Sequence, residues 1–257
     1  MRIVSLACSN TEILAALGAA DLLVGVDSHS DHPAALLRSL PRVGPDLEID
    51  VDAVARLEPD LVLASLTVPG HETVVEGMEA RGLPLLTLAP LSLEEVPANV
   101  RTVANRIGRA DAGEALARRL ERALAPPTSP PGPEAPSILV QWWPGPVISP
   151  GRQSWVQGLL EAAGARNPLE GEERPSRPLS PEEVAELAPD AMVMSWCGVA
   201  PERYRPDVLY RNPAWAEVPA IRNGRVFHVP EAWLGRPGPR LLHGLQALRR
   251  VAEAARN

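Results

Sequence analysis

The chain has 257 residues and no lysine, since all 25 of its basic side chains are arginine. The absence of lysine excludes a phosphate-binding P-loop and a lysine Schiff base, because both need its amine. The two cysteines, Cys8 and Cys197, are too few for a disulfide framework or a four-cysteine zinc site. No apolar run approaches the roughly 18 residues that cross a bilayer, so we predict no membrane span.

Aromatic residues are scarce and unevenly placed, because all nine of them, including six tryptophans, lie at or after Trp142. Charge is uneven too: residues 1–125 carry 18 acidic side chains and 11 arginines, whereas residues 126–257 carry 14 of each. We therefore expect a first lobe with an aliphatic core and an acidic surface, and a second lobe that holds every tryptophan. The formal net charge of −7 argues against a nucleic-acid partner.

Short apolar runs alternate with helical patterns along most of the chain. The predicted strands are residues 3–7, 22–26, 61–66, 84–88, 137–142, 191–196 and 225–229. Strands that alternate with helices indicate an α/β fold with mainly parallel sheets. Ser9 and Glu12 have the spacing of a capping box, which predicts that a helix begins there and ends near Gly18.

The middle of the chain lacks strand signals. Residues 92–125 have apolar side chains near helical spacing, with Gly108 and Gly113 as positions where the helix can bend or split. Residues 126–136 are rich in proline and form a stiff connector. We therefore predict a first lobe over residues 1–91, a linking helix over 92–125, the connector, and a second lobe over 137–257.

A seven-residue pattern occurs once in each half. Residues 54–60 (VARLEPD) recur as residues 184–190 (VAELAPD), and each copy leads into an apolar strand. Each copy reads as a short helix stopped by proline, followed by an aspartate that opens a buried strand. Two copies favour two similar lobes over a solenoid.

Four tryptophans lie at or just after strand ends: Trp142, Trp143, Trp196 and Trp233. Ligands of open α/β sheets bind beyond the carboxyl ends of the strands, and indoles there can stack on a flat ligand. Taken singly, each tryptophan is also compatible with capping the core. Trp155 and Trp215 are predicted to be structural or peripheral.

Polar candidates surround the first two strands. His29 and His32 lie in the loop after the second strand, where imidazoles can contact a ligand or simply form a solvated polar loop. Cys8 and Asn10 lie at the start of the first helix. Cys8 fits either a small buried residue or a reactive thiol activated by the helix dipole.

Arg236 belongs to an Arg-Pro-Gly-Pro-Arg turn before the last helix, where it either supports the turn or reaches the ligand. The remaining histidines form no ligand-spaced pair, and no Ser/His/Asp order or paired carboxylates emerge. We therefore predict no catalytic set and no resident metal site.

The order of these motifs resembles a known family. It runs from residues 2–25 (RIVSLACSNTEILAALGAADLLVG) through Asp31-His32-Pro33, the two repeat copies and Ser149-Pro150-Gly151 to the Arg236–Arg240 turn. It is similar to the periplasmic binding proteins of ABC importers for vitamin B12, iron siderophores and haem, with the cobalamin-binding (BtuF-like) branch as the nearest. The resemblance covers nearly the whole chain.

The resemblance implies the class III architecture: two Rossmann-like lobes joined by a long backbone helix, with the ligand held in the cleft. It implies a monomeric binding protein, not an enzyme, whose ligand is a cobalamin-like corrinoid or another metal chelate, such as a siderophore or haem, bound without a covalent link. It also implies an ABC permease partner that docks on one carboxylate of each lobe, Glu72 and Glu202. The chain departs from the family at Cys8, where proline is usual, and at His29 and His32, where tyrosines are usual.

The first predicted strand begins directly after Met1-Arg2, so the sequence as written predicts a cytoplasmic protein. If the true start lies upstream, the expected location is periplasmic or otherwise extracytoplasmic. Two alternative functions follow: a cytoplasmic carrier or sensor of a corrinoid or metal complex, and an enzyme that uses Cys8 with His29 or His32.

Overall fold

The computed structural model describes residues 1–256, apart from the side chains of Pro144 and Pro201. The chain divides into two compact units. Unit 1 comprises Met1–Pro90 and Pro97–Arg119, and unit 2 comprises Leu91–Val96 and the chain from Leu120 onward. No helix in the described part of the chain is both long and apolar enough to span a membrane.

Unit 1 contains one four-stranded parallel sheet in the order β2-β1-β3-β4. The strands are β1 (Ile3–Ser5), β2 (Leu23–Val26), β3 (Leu61–Ser65) and β4 (Leu85–Leu88). Every residue of β1 and β3 is buried, as expected for central strands of a sheet covered on both faces. The α/β fold with mainly parallel sheets is therefore confirmed.

Short helices connect these strands and a helical pair follows them. These are α1 (Cys8–Ala16), α2 (Ala34–Leu37), α3 (Val51–Arg56), α4 (His71–Ala80), α5 (Glu95–Arg106) and α6 (Ala110–Ala123). The predicted capping box is wrong, because α1 begins at Cys8 and its N-cap residue, Ala7, makes no side-chain cap. Thr11 bonds Ser5 and Ser30 instead, and Glu12 is buried. Ser9 and Glu12 therefore lie inside α1, after its first residue, and do not cap it.

The predicted linking helix forms as two helices rather than one. Gly108 lies between α5 and α6 with a φ of +70°, a left-handed conformation that ends a helix and that glycine adopts without strain. The two helices are then tied together by Arg101, whose Nε donates to Glu114 Oε2 at 2.6 Å. Arg101 and Arg118 together lower the pKa of Glu114 to about 2.

In its described residues, unit 2 has two three-stranded sheets. The strands are β5 (Ile138–Gln141), β6 (Trp143–Pro144), β7 (Val147–Pro150), β8 (Ser176–Leu179), β9 (Ala191–Met194) and β10 (Val226–His228). Strands β10-β9-β5 form a parallel sheet, as predicted. The antiparallel sheet β6-β7-β8 was not predicted, because its strands are short and interrupted by proline.

Within the described part of unit 2, the α-helices after β5 are α7 (Trp155–Ala162), α8 (Pro181–Leu187), α9 (Asp207–Tyr210), α10 (Pro219–Arg222), α11 (Glu231–Leu234) and α12 (Leu241–Arg256). The parallel sheet is buried between them, and Leu139, Met192 and Met194 form one face of a continuous apolar cluster. No regular element is assigned to the proline-rich residues 126–136.

The internal repeat is confirmed in three dimensions. Glu58 and Ala188 occupy equivalent positions after α3 and α8, and both are left-handed, with φ of 45° and 42°. Two residues later, Asp60 Oδ2 accepts the Arg2 N–H at 2.7 Å, and Asp190 Oδ2 accepts the Ser137 N–H at 2.9 Å. Each copy thus turns the chain with the same backbone conformation and fixes the start of the neighbouring parallel strand.

Candidate functional site

The carboxyl ends of the parallel strands carry most of the candidate residues, in each unit separately. We call residues 6–8, 27–50 and 66–72, which follow β1, β2 and β3, the unit 1 edge. We call residues 142–146, 195–200 and 229–240, which follow β5, β9 and β10, the unit 2 edge. Such edges are where open α/β sheets bind ligands.

A buried carboxylate organises the loop after β2. Asp27 is fully buried and accepts hydrogen bonds from the Ser30 hydroxyl and from the His29 N–H, the latter at 2.8 Å. The Arg42 guanidinium donates to the Asp27 and Ser30 carbonyls, at 3.0 and 2.6 Å. These hydrogen bonds tie the loop that presents His29 to Asp27 and Arg42.

Cys8 lies at the start of α1, partly exposed, with its thiol 3.8 Å from Asp27 Oδ2. A carboxylate that accepts from a thiol favours the protonated form, which opposes the activating effect of the helix N-terminus. This geometry gives no support to the alternative of a nucleophilic Cys8.

Asn10 was predicted to bind ligand, and the structure corrects this prediction. Its side chain is 1% exposed, and Nδ2 donates to the Ala64 carbonyl at 3.0 Å. The amide therefore joins α1 to β3 and performs a structural role.

Two histidines flank one carboxylate at the unit 1 edge. Asp46 Oδ1 lies 3.6 Å from His29 Nε2, and Asp46 Oδ2 lies 3.7 Å from His71 Nε2. The contact with His71 is the main cause that lowers the pKa of the Asp46 carboxyl. Partial burial of the carboxyl opposes this effect, and the electrostatic influence of the His29 and His71 imidazoles adds to it. His29 is exposed and His71 is buried, so the cluster reaches from the surface into the unit.

Apolar side chains remain exposed beside this cluster. Leu47, Leu66 and Val68 are 46%, 36% and 39% exposed, and Leu47 lies against Gly70. His32 is also exposed in the loop after β2, as predicted. The unit 1 edge therefore combines imidazoles, a carboxylate and accessible aliphatic surface.

At the unit 2 edge, three of the four predicted tryptophans are at least partly accessible. Trp143 is 43% exposed and lies opposite Ile148 in the β6–β7 hairpin. Trp142 is partly buried, and its backbone accepts from Cys197 and donates to Ile148, which fixes it at the end of β5. Both residues directly follow β5 at the unit 2 edge, and the stacking of their indoles on a ligand stays a prediction.

Trp196 differs from this expectation. It is 5% exposed and its ring packs in the core, 5.4 Å from the ring of Tyr204. The ring is therefore a core residue, which corrects the prediction that it stacks on a ligand. Tyr204 is buried beside it, and this burial raises the pKa of the Tyr204 hydroxyl to about 12.

Trp233 and Arg236 lie on and just after α11. Trp233 is partly exposed, with its ring 5.4 Å from the ring of His243. The Arg236 side chain is largely buried, and its Nε donates to Glu231 Oε2 at 3.1 Å. The guanidinium therefore has a carboxylate partner within its own turn, which favours the structural interpretation of this motif.

The other predicted positions are placed as follows. Glu72 is exposed in the first turn of α4, and its carboxylate accepts from the Gly70 N–H at 2.8 Å. Glu202 is exposed in a short 3-10 turn. Trp155 and Trp215 are structural, as predicted, because both are buried and donate to the carbonyls of Leu234 and Pro181.

Sequence reasoning missed Asp27, Asp46 and His71 as parts of the edge. Asp27 directly follows β2, and that position alone could have identified it. Asp46 meets His29 and His71 only in the folded unit, since these residues are far apart along the chain. Within residues 1–256, no group of three or more histidine, cysteine or acidic side chains has the geometry to hold a metal ion.

The family follows from a comparison with known proteins. The family model described as "Periplasmic binding protein" matches residues 3–232. The chain belongs to the periplasmic binding protein family. Because this is a family of solute-binding proteins, this periplasmic binding protein is not an enzyme, which agrees with the prediction.

Three relatives of this binding protein cover nearly all of it. The vitamin B12-binding protein of Vibrio vulnificus (strain YJ016) is 28% identical over 95% of the chain and 87% of its own length. An uncharacterised ABC transporter substrate-binding lipoprotein, YvrC of Bacillus subtilis (strain 168), is 26% identical over 96% of the chain and 78% of its own length. The apo structure of the periplasmic haem-binding protein RhuT from Roseiflexus sp. RS-1 has a TM-score of 0.82 and 29% identity. The match covers 100% of this chain and 99% of RhuT.

Proposed function

We propose that this chain is the substrate-binding component of an ABC importer and that its ligand is a metal chelate: a cobalamin-like corrinoid, a ferric siderophore or haem. The observation that carries the proposal is the pair of accessible indoles, Trp142 and Trp143, at the carboxyl edge of a parallel sheet. Similarity to proteins named as vitamin B12-binding and haem-binding over nearly the full chain supports the same ligand class.

Each edge, taken by itself, offers candidate ligand contacts. In unit 2, Trp142, Trp143 and Trp233 supply flat apolar surface, which favours a large planar ring. In unit 1, His29 and His32 supply imidazole nitrogens, and Leu47 and Val68 supply aliphatic surface. No bond is made or broken, so the protein's task is to bind and release.

We further propose that the protein works outside the cytoplasm as a monomer and delivers its ligand to a membrane permease. Relatives named as a lipoprotein and as periplasmic proteins support this location. Glu72 and Glu202 are both exposed, which suits the proposed role of contacting permease arginines. Fractionation of cells that express the gene from its native upstream sequence tests the location; recovery in the cytoplasm would favour a carrier or sensor without a transporter.

Titration tests the ligand class. Cyanocobalamin, haemin and a ferric trihydroxamate are added to the full chain while tryptophan fluorescence is followed. We expect saturable quenching by at least one chelate and a large loss of affinity in Trp143→Ala. Trp215→Phe is the matched control, because Trp215 is buried in the core of unit 2. The affinity of this variant for the chelate should equal that of the parent. Absence of binding to all three chelates would remove the proposal.

Uptake tests the docking carboxylates. In a cell that depends on this protein for the bound chelate, Glu72→Ala should reduce uptake while leaving the affinity of the purified protein unchanged. Glu79→Ala, at the other end of α4, removes the same charge from an exposed position and should leave uptake intact. Equal uptake by both variants would contradict docking through Glu72.

A further inference from the structure

Unit 2 buries a glutamine at a position where unit 1 buries a leucine. The two repeat aspartates, Asp60 and Asp190, accept hydrogen bonds from the N–H groups of Arg2 and Ser137, which makes these two donor residues equivalent. Four residues later, at or just after the carboxyl ends of β1 and β5, the equivalent positions are 6 and 141. The first position holds a leucine and the second a glutamine.

Both side chains face the apolar cluster of their own unit. Leu6 is 3% exposed and packs in the cluster of unit 1. Gln141 is fully buried, and it points to the same face of β5 as Leu139, because side chains alternate along a strand. Leu139 and Met194, the cross-strand partner of Gln141, belong to the cluster of unit 2. Since a leucine fits this position in unit 1, apolar packing alone gives no reason for an amide in unit 2.

The Gln141 amide has unused hydrogen-bonding capacity. Within residues 1–256, neither its Oε1 nor its Nε2 has a hydrogen-bond partner. A primary amide supplies two N–H donors and one carbonyl acceptor. Most buried polar side-chain atoms in folded proteins are hydrogen-bonded, because a bare one loses its interaction with water and gains nothing in return. This amide therefore needs a partner that both donates and accepts.

A second buried donor lies beside the end of β5. The Ser195 N–H donates to the Gln141 carbonyl at 2.9 Å, and the Cys197 N–H donates to the Trp142 carbonyl at 3.0 Å. Trp196 lies between these two backbone bonds, and its ring belongs to the cluster that Gln141 faces. The Trp196 Nε1–H is buried and, among the described residues, has no hydrogen-bond partner.

We infer that Gln141 and Trp196 form a binding site for at least one ordered water molecule inside unit 2. A water molecule accepts from the indole N–H and from the amide N–H, and it donates to the amide carbonyl. These are the about three hydrogen bonds that a buried water typically makes to polar groups that would otherwise be bare. The water joins the end of β5 to the segment after β9. The inference goes beyond the proposed function and does not depend on it, because no chelate takes part.

Magnetisation transfer from water to the tryptophan indoles tests the site in the unaltered chain. We expect the Nε1–H of Trp196, assigned with the variant Trp196→Phe, to show a direct cross-peak to a long-lived water. The control is built into the chain: the Nε1–H groups of Trp155 and Trp215 donate to carbonyls at 2.7 and 3.0 Å and should show none. Absence of the Trp196 cross-peak, or equal cross-peaks from all three indoles, would overturn the inference.

A matched pair of variants tests the role of the amide. Magnetic relaxation dispersion of the solvent counts long-lived internal waters, and Gln141→Leu should lose at least one of them relative to the parent. This substitution copies the residue that unit 1 has at the equivalent position, and circular dichroism checks that the variant folds. Gln246→Leu removes the same group from an exposed position in α12 and should leave the count unchanged. An unchanged count in folded Gln141→Leu contradicts the site, whatever the chelate titrations show. If this variant does not fold, the Trp196 cross-peak of the parent decides.

Discussion

Asp46 Oδ2 lies 3.7 Å from Nε2 of His71, and this contact joins the loop that precedes α3 to the first residue of α4. Its other oxygen faces His29 in the loop after β2. One carboxylate therefore connects three segments of the unit 1 edge. These segments come from distant parts of the sequence, so the contacts of Asp46 help to hold the edge together.

The first prediction concerns the pH dependence of stability. The pKa of Asp46 in the folded chain lies below its ordinary value of 3.8, so its stabilising contribution is present above about pH 4 and is lost as the pH falls through the folded value. Asp46→Asn should therefore lower the thermal midpoint near pH 6. Solvent screening limits the corresponding loss in the free energy of unfolding to roughly 0.5 kcal/mol. The difference should disappear in strong acid. Thermal melts of parent and variant across this pH range measure it, and a pH-independent difference would contradict the assignment.

The second prediction concerns the tautomer of His71. Its Nδ1 accepts the Val68 N–H at 3.4 Å, so neutral His71 should carry its proton on Nε2, directed at Asp46. Nitrogen-15 chemical shifts of the imidazole distinguish the two tautomers directly. In Asp46→Asn the same tautomer should persist, because the Val68 contact is unchanged. A proton on Nδ1 in the parent would show that this backbone bond does not form.

The third prediction concerns the ion-pair network of unit 2. Arg177 donates through Nε and Nη2 to Glu172, at 2.7 and 2.8 Å, and through Nη1 to Glu183 at 2.7 Å. The hydrogen bonds with Arg177 lower the pKa of Glu172 and raise the pKa of the arginine. The Ser180 N–H lowers the pKa of Glu183 most, and Arg177 lowers it further. Arg177→Lys keeps the charge but loses the paired donors, so we expect a loss of roughly 1 kcal/mol in the free energy of unfolding.

Arg211→Lys provides the control for that measurement. Arg211 is 81% exposed and makes one helical ion pair with Asp207, so the same substitution should change urea denaturation very little. Equal effects of the two substitutions would show that the network around Arg177 adds nothing beyond an ordinary surface pair.

Much of the fold was predictable because local patterns and tertiary structure agree. The repeat around Asp60 and Asp190 predicted two equivalent turns, and the backbone at Glu58 and Ala188 bears this out. Strand positions were also predictable, since buried parallel strands are short apolar runs. The β6–β7–β8 sheet was missed because its strands contain Pro144, Pro150 and Pro178, which read locally as breaks.

The candidate site was less predictable, for a physical reason. A sequence places a residue at a strand end, but it does not say whether the side chain faces the core. Trp143 and Trp196 both lie just after a strand, yet Trp143 is exposed and Trp196 is packed against Tyr204. Likewise, the sequence did not show that the Asn10 side chain donates a hydrogen bond to the Ala64 carbonyl inside the unit. Clusters such as Asp46 with His71 arise only when separate loops meet in the folded unit.

The last prediction concerns the close approach of α5 and α6. Gly113 is buried in α6, and a Cβ added there would overlap the Cβ of Ala104 in α5. An ordinary glycine-to-alanine change inside a helix stabilises it by up to about 1 kcal/mol. Here the overlap should reverse the sign, so Gly113→Ala is expected to lower the free energy of unfolding by about 1–3 kcal/mol.

A compensating variant separates crowding from any other effect of Gly113→Ala. Adding Ala104→Gly in the same chain makes room for the new methyl group and should recover most of the loss, although the second glycine weakens α5 slightly. Gly132→Ala, where an added Cβ meets nothing within 4 Å, should be close to neutral. Urea denaturation of the four chains measures these differences. If Gly113→Ala proves more stable than the parent, the two helices do not approach as closely as Gly113 and Ala104 indicate.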